Sequence, residues 1–284
     1  MQQPIHQMKC EELRARKASA MRLCALTAYD APTARLIHAA GIDMLFVGDS
    51  VGTNVLGYQS EREVTLNDII HHVAAVRRGA PDAVVLADLP FATYNDADSA
   101  LANARLLVAA GASLVKVEGA DQFENIERLT ADGIVVCAHV GFTPQTIAMH
   151  DGKARVQARS ADEALELIAA AERLEAAGAA FLVLELVPDA VAKIVTERLR
   201  IPTIGIGAGP HCDGQVLIVY DVLGLSGLNL KLARQYADGR GIFITAFQQY
   251  RREVQNGTFP AKANTFHMAP DEEERLHARW NQTK

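Results

Sequence analysis

Three stretches of this chain carry the same pattern. Ala39-Ala40-Gly41 leads through Met44-Leu45-Phe46-Val47 to Asp49, Ala109-Ala110-Gly111 through Leu114-Val115 to Lys116 and Glu118, and Ala176-Ala177-Gly178 through Phe181-Leu182-Val183-Leu184 to Glu185. In each copy a helix stopped by a glycine C-cap precedes a short apolar strand. Each strand ends on charge. The glycines are 70 and 67 residues apart, read from positions 41, 111 and 178. That spacing is too long for one solenoid repeat. It suits two βα units of an eight-unit barrel of ~250 residues. The carboxyl ends of barrel strands are where such a fold places catalytic groups.

A chain of 284 residues that is 49% hydrophobic can bury the core of one such barrel. We therefore expect a single (β/α)8 domain over 1–284, with a short helix at 9–18 and a loose charged tail or peripheral helix at 269–284. The net charge of −6 and pI near 5.9 give no electrostatic case for nucleic acid or an anionic membrane. Arg77-Arg78 and Arg251-Arg252 are isolated pairs and read as solvated helix faces. No uncharged apolar run approaches ~18 residues. Charges at Glu11, Glu12, Arg14, Arg16 and Lys17 stand where a signal peptide needs an apolar core. Cys10, Cys24, Cys137 and Cys212 are widely spaced, which suits reduced thiols and a cytoplasmic location.

In order, the expected elements are a strand at Leu23–Thr27, then a helix capped by Asp30 and running to Ala40. A long loop, Ser50–Glu63, precedes a helix opened by Thr65 and Asp68 and closed after Arg78 by Gly79. Ala83–Ala87 is a strand ending on Asp88, and helical spacing at 97, 101, 104, 107 and 108 leads to Gly111. Ile134–Cys137 is a strand ending at His139, and Ser160 with Glu163 opens a helix to Gly178. Pro188 starts another helix, and strands follow at Pro202–Ile206 and Val216–Val219.

The strand-end polar residues are Asp49, Asp88, Lys116, Glu118, His139 and Glu185. Each has a bland reading: Asp88 as an N-cap, Lys116 with Glu118 as a structural ion pair, His139 as a satisfied core histidine. Six on one rim are harder to dismiss than one. Two aspartates without a histidine pair are hard oxygen donors that favour Mg²⁺ over zinc. A 2-oxo acid can chelate such an ion, which stabilises the enolate formed when the neighbouring carbon loses a proton. Lys116 would then neutralise substrate charge and Glu185 would act as base.

At the level of short motifs the chain resembles the ketopantoate hydroxymethyltransferase family. The matching words include Leu26-Thr27-Ala28-Tyr29-Asp30, Val47-Gly48-Asp49-Ser50, Arg77-Arg78-Gly79-Ala80-Pro81 and Ala87-Asp88-Leu89-Pro90-Phe91. They continue in Val115-Lys116-Val117-Glu118-Gly119, His139-Val140-Gly141-Phe142-Thr143-Pro144-Gln145, Leu184-Glu185, Gly205-Ile206-Gly207-Ala208-Gly209 and Asp213-Gly214-Gln215. The resemblance implies a TIM barrel of the phosphoenolpyruvate/pyruvate-binding type. It also implies hydroxymethyl transfer from 5,10-methylenetetrahydrofolate to 3-methyl-2-oxobutanoate, giving 2-dehydropantoate for pantothenate biosynthesis. On that resemblance Asp49 and Asp88 are the Mg²⁺ ligands, with Glu118 close through water. Ser50 and Lys116 hold the substrate carboxylate, Glu185 is the base and His139 its hydrogen-bonding partner. The family also implies a homo-oligomer, commonly a decamer.

Three segments depart from the family pattern: Glu63 stands where proline is usual, His150-Asp151-Gly152-Lys153-Ala154-Arg155 replaces a Gly-Gly-aromatic-Lys turn, and Leu230-Lys231-Leu232 replaces Pro-Lys-Phe. These read as rim or C-terminal segments, where substrate, folate or subunit contacts would be made. Two rivals stand beside this reading. One is an enzyme of the phosphoenolpyruvate mutase/isocitrate lyase type acting on another 2-oxo acid; the Lys-Lys-Cys-Gly-His word of isocitrate lyase is absent. The other is a non-catalytic paralogue, whose signature would be a lost ligand or base.

Overall fold

A computed structural model describes residues 3–19, 21–146 and 154–283. Its centre is a closed parallel barrel whose eight strands pair in chain order. They are β1 (Leu23–Thr27), β2 (Met44–Val47), β3 (Val84–Asp88), β4 (Leu114–Glu118), β5 (Val136–Gly141), β6 (Phe181–Glu185), β7 (Thr203–Ile206) and β8 (Gly214–Leu217). β8 closes onto β1 with Leu23 opposite Gly214. The strands are near-continuous apolar runs because both faces are covered, one by helices and one by the barrel interior.

Side-chain alternation sorts each strand into two cores. Leu45, Val85, Val115, Val117, Val136, Ala138, Leu182 and Leu184 face outward into the layer shared with the helices. Met44, Phe46, Val84, Leu86, Leu114, Cys137, Phe181, Val183, Ile204 and Val216 fill the interior. Cys10 and Leu13, from α1 (Gln3–Ser19), belong to the same interior cluster. Read upward, the inward columns change character. β3 runs Val84, Leu86, Asp88; β4 runs Leu114, Lys116, Glu118; β5 runs Cys137, His139; β6 runs Phe181, Val183, Glu185. The barrel is apolar below and ionic at its carboxyl end.

The surrounding helices are α2 (Ala31–Ala39), α3 (Leu66–Gly79), α4 (Ala97–Ala110), α5 (Phe123–Ala131), α6 (Ala161–Ala176), α7 (Asp189–Arg198) and the short α8 (Val219–Val222). Asp30 caps α2, and reciprocal capping boxes at Thr65/Asp68 and Ser160/Glu163 open α3 and α6. The repeated glycines take positive φ: +76° at Gly41, +120° at Gly111 and +106° at Gly178. Glycine adopts that region without a Cβ penalty, so it ends each helix and turns the chain into the strand.

Several boundaries differ from the sequence expectation. Gly79 is the last residue of α3 rather than a left-handed cap, and a Cβ built on it lies 2.3 Å from the Ala31 carbonyl oxygen. Its glycine is required by close packing on α2. β5 begins at Val136 and continues two residues beyond His139, because Ala138 and Val140 have outward positions to fill. β8 lies at Gly214–Leu217, two residues earlier than expected, and Val219 already belongs to α8. The loop 50–63 is partly structured: Gly52–Leu56 forms one π turn and Glu61–Glu63 a 3-10 turn. Arg77 is not a solvated residue. It donates to the carbonyls of Pro81, Ala83 and Gly111 and to Ser113 Oγ, bracing the entry to β3 and β4.

The chain divides into two compact units, Met1–Tyr236 and Ala237–Lys284. The second holds α9 (Gly239–Gln255), capped by Asp238, and α10 (Pro270–Asn281), which carries Asp271, Glu272 and Glu273 in its first turn. Of the two readings of 269–284, loose tail or peripheral helix, α10 is the helix.

Candidate active site

The carboxyl end of the barrel gathers all seven residues singled out from the sequence. Asp49, Ser50, Asp88, Lys116, Glu118, His139 and Glu185 line one cavity of about 330 Å³. Strand register explains the assembly. Asp88 is level with Lys116 across β3 and β4, Glu118 with His139 across β4 and β5, and Gly141 with Glu185 across β5 and β6. Asp49 and Ser50 come from the turn after β2.

Lys116 is the hub. Its Nζ is 3.1 Å from Asp88 Oδ1, 3.1 Å from Glu118 Oε2 and 3.2 Å from His139 Nδ1. Burial alone would lower a lysine pKa. Here the carboxylates of Asp88, Glu118 and Asp49 outweigh it and hold Lys116 well above its ordinary value. Burial likewise works to raise Glu118, but Lys116 and the His139 contact win and bring it down to about 2. Glu118 is thus a fixed anion.

Asp49 and Asp88 behave differently. Burial is the leading cause that raises both, and at Asp49 the neighbouring Asp88 and Glu118 carboxylates add to it. Asp88 Oδ2 accepts the Asp49 backbone N–H at 3.0 Å. Asp88 is therefore no N-cap; Asp96 caps the following helix. Asp88 Oδ1 is buried against the Lys116 ammonium at 3.1 Å, which works against the rise. These residues present hard oxygen atoms and more carboxylates than one lysine offsets. Among the described residues no three-group His/Cys/Asp/Glu cage is preformed. Two carboxylates with water and substrate completing the shell suit Mg²⁺ and not a structural zinc.

His139 connects this centre to Glu185. Its Nε2 lies 3.4 Å from Glu185 Oε2 without hydrogen-bond geometry, and its Nδ1 is 3.5 Å from Glu118 Oε2. Burial and Lys116 work to lower the imidazole pKa; the neighbouring carboxylates of Glu118 and Glu185 prevail and raise it. Glu185 keeps 19% side-chain exposure against 1% for Glu118, so it is the reachable one of the two carboxylates beside His139. Ser50 Oγ is 2.8 Å from the hydroxyl of the fully buried Tyr29. Phe46, Phe142, Val183, Ile206, Val216, Leu230 and Leu232 make the apolar wall of the cavity.

A family model described as ketopantoate hydroxymethyltransferase matches residues 7–262. The chain belongs to the ketopantoate hydroxymethyltransferase family. It is an enzyme of this transferase family: it is 44% identical over 262 residues to the 3-methyl-2-oxobutanoate hydroxymethyltransferase of Thermotoga maritima, covering 91% of this chain and 96% of the relative. A Thermus thermophilus protein of the same name is 47% identical over 254 residues, covering 88% and 97%. Among solved structures, phosphonopyruvate hydrolase complexed with oxalate and Mg²⁺ superposes with a TM-score of 0.59 at 15% identity, covering 97% and 96%. A 2,3-dimethylmalate lyase of the PEP mutase/isocitrate lyase superfamily gives 0.58 at 17% identity, covering 95% and 98%. At that identity the likeness is one of fold, and it bears out the TIM barrel.

The segments that depart from the ketopantoate hydroxymethyltransferase pattern meet the cavity in part. Leu230, Leu232 and Ala154 line it, as does Glu61, while residues 150–153 lie outside the described residues. Glu63 acts locally, its Oε1 accepting the backbone N–H of Gln59 at 2.9 Å and of Ser60 at 3.0 Å and so closing the capping box of the 3-10 turn. Proline has no acceptor to do this. Two residues in the site escaped the sequence reading. Gln145 lies in the loop after β5 and Tyr94 in the loop after β3, so neither falls on a strand column. The signal for Gln145 was its place in the word that begins at His139.

Proposed function

We propose that this enzyme transfers a hydroxymethyl group from 5,10-methylenetetrahydrofolate to 3-methyl-2-oxobutanoate, forming 2-dehydropantoate, with Mg²⁺ as cofactor. The observation that carries this reading is the joining of a two-aspartate oxygen site to a carboxylate–imidazole pair within one cavity, Asp49 and Asp88 on one side, His139 and Glu185 on the other. When bound there, the ion supplies the positive charge that favours loss of a proton next to a keto group.

Each side chain then has a role its position supports. Asp49 and Asp88 hold the cation, with Glu118 nearby. Lys116, kept protonated by its neighbours, and Ser50, aimed by Tyr29, hold the substrate carboxylate. Glu185 removes the proton from C3, and His139 orients Glu185 and answers its change of charge across 3.4 Å. The apolar wall around Val183, Ile206 and Val216 suits the branched carbon end of the acid and excludes water from the reacting carbon.

The sister-enzyme reading has fold likeness behind it, whereas the hydroxymethyltransferases are the proteins this chain matches in sequence along most of its length. Among the described residues no helix is long and apolar enough to cross a membrane. With a biosynthetic small-molecule reaction, we place the protein in the cytoplasm, as a homo-oligomer of the decameric kind. The deciding experiment is formation of 2-dehydropantoate from 3-methyl-2-oxobutanoate, methylenetetrahydrofolate and Mg²⁺. Turnover that vanishes without the folate or with a chelator is expected. Absence of product in the complete mixture would sink the reading.

A further inference from the structure

We propose that Gln145, its amide locked by Tyr94, is a positioning residue that presents Asp49 to a divalent cation. This rests on the reading of Asp49 and Asp88 as cation ligands. Gln145 is 1% exposed and spends every polar atom of its side chain within the site. Nε2 donates to Asp49 Oδ2 at 2.8 Å and to the Leu89 carbonyl at 3.0 Å. Its backbone N–H donates to Glu118 Oε1 at 3.2 Å. Tyr94, through its hydroxyl, donates to Gln145 Oε1. One residue from the loop after β5 thus touches the acid beyond β2 and the acid that ends β4.

The orientation of the amide is dictated by its partners. The Leu89 carbonyl can only accept, so the NH₂ end must face it. An inverted amide would set its oxygen against both that carbonyl and the Asp49 carboxylate. With the amide so fixed, Oε1 faces the Tyr94 hydroxyl, which donates to it and also lies 3.3 Å from the Glu118 carbonyl oxygen. Asp49 Oδ2 is thereby committed to the amide, which leaves Oδ1 as the oxygen for a cation. Asp49 needs such support more than its neighbours do. Lys116 lies against Asp88 and Glu118, whereas the contact made by Asp49 Oδ2 is with this neutral amide. A rotating Asp49 would find the cation site only part of the time, and the fixed one finds it always.

The test uses the full-length protein stripped of metal, with Mn²⁺ alone as the probe and free Mn²⁺ read by electron paramagnetic resonance. Gln145→Met keeps the volume and removes both donors. Tyr94→Phe keeps Gln145 and removes the hydrogen that locks it. Circular dichroism and a thermal melt establish that each variant is folded. For Gln145→Met the expected Mn²⁺ affinity is about 10- to 100-fold below wild type, the range for losing a residue that orients a metal ligand. A smaller loss in the same direction is expected for Tyr94→Phe. A purely architectural role would move the melt and leave the affinity of folded protein alone. Wild-type or tighter Mn²⁺ binding by folded Tyr94→Phe overturns the proposal, even should Gln145→Met fail to fold. Wild-type protein that binds no Mn²⁺ overturns the cation reading itself, a failure seen before any variant is made.

Discussion

Asp49 gives its backbone N–H to Oδ2 of Asp88 across 3.0 Å, from the turn after β2 to the last residue of β3. The bond ties two acids together although their charges repel. It holds the Asp88 carboxylate by one oxygen, while the other, Oδ1, lies 3.1 Å from the Lys116 ammonium. Buried acids this close raise one another's free energy when ionised, a cost that a bound cation would offset.

Asp49→Asn keeps the backbone bond and removes one charge from the pair. The variant should fold, because the side chain swaps oxygen for nitrogen at constant size. Its Mg²⁺ affinity should fall at least ~10-fold, since even residues that only orient a ligand cost that much. Calorimetric titration of the metal-free variant gives the value. Turnover equal to wild type at limiting Mg²⁺ would remove Asp49 from the metal site.

The pH dependence of metal binding has a definite sign. Burial, with repulsion from neighbouring carboxylates (Asp88 and Glu118 at Asp49, Glu118 at Asp88), raises the pKa values of Asp49 and Asp88 above those of unfolded aspartates, so at these two acids the folded metal-free protein holds extra protons. Its stability therefore declines as pH rises from the ordinary aspartate value of about 3.9 through the raised values. Bound Mg²⁺ requires the ionised acids and must displace those protons. Affinity should increase with pH over that window, and binding should release protons. Titrations in two buffers of different ionisation enthalpy measure the release; proton uptake, or none, contradicts the assignment.

A third expectation concerns α3. Alanine is intrinsically better than glycine within a helix by about 1 kcal/mol. At Gly79 packing decides otherwise, because the added Cβ meets Ala31 O at 2.3 Å and Ala31 Cα at 2.7 Å, both backbone atoms. Gly79→Ala should destabilise by about 1–3 kcal/mol, as overpacking does. Urea unfolding with an unchanged slope would show this as a lower midpoint. A stabilised variant would mean that α2 and α3 part easily.

The barrel and its ionic rim were legible because alternation is a local rule. Once Leu114, Lys116 and Glu118 share a face, the end of β4 must carry charge, and the same holds for Asp88 and Glu185. The repeated glycines announced themselves by position. What could not be read were contacts made by residues outside the alternating columns. Gln145 and Tyr94 sit in loops, and their contact joins positions 51 apart in the chain. Arg77 looked like a surface charge because nothing nearby in sequence reveals the carbonyls it braces. Gly79 occupies a cap-like position, and the neighbour it must accommodate, Ala31, lies on another helix. The ends of β5 and β8 moved for a related reason: pairing partners set them, through Gly141 opposite Glu185 and Gly214 opposite Leu23.

The last prediction separates proton removal from carbon–carbon bond formation. Glu185 ends β6 with its carboxylate 3.4 Å from His139 Nε2, and it retains the exposure to the cavity that its buried neighbours lack. Glu118 is a poor base because Lys116 and His139 hold its pKa down to about 2 against the effect of burial, which leaves it little affinity for a proton. On the proposed assignment Asp49 and Asp88 would be engaged in holding the cation. Glu185 is left for the role. If it abstracts the C3 proton of 3-methyl-2-oxobutanoate, the wild-type enzyme with Mg²⁺ should exchange that hydrogen for deuterium in heavy water. Exchange should not need the folate, because proton loss comes before attack on the one-carbon unit. Glu185→Gln should slow both exchange and product formation by ~10²–10⁴-fold, the usual cost of losing a general base. Substrate and Mg²⁺ should still bind, since the glutamine fills the same space and Asp49, Asp88 and Lys116 are untouched. Proton NMR follows the disappearing C3 signal directly. Exchange at the wild-type rate in the variant would clear Glu185 of the role. Loss of product with exchange retained would instead place Glu185 after proton removal, in the step that joins the carbons.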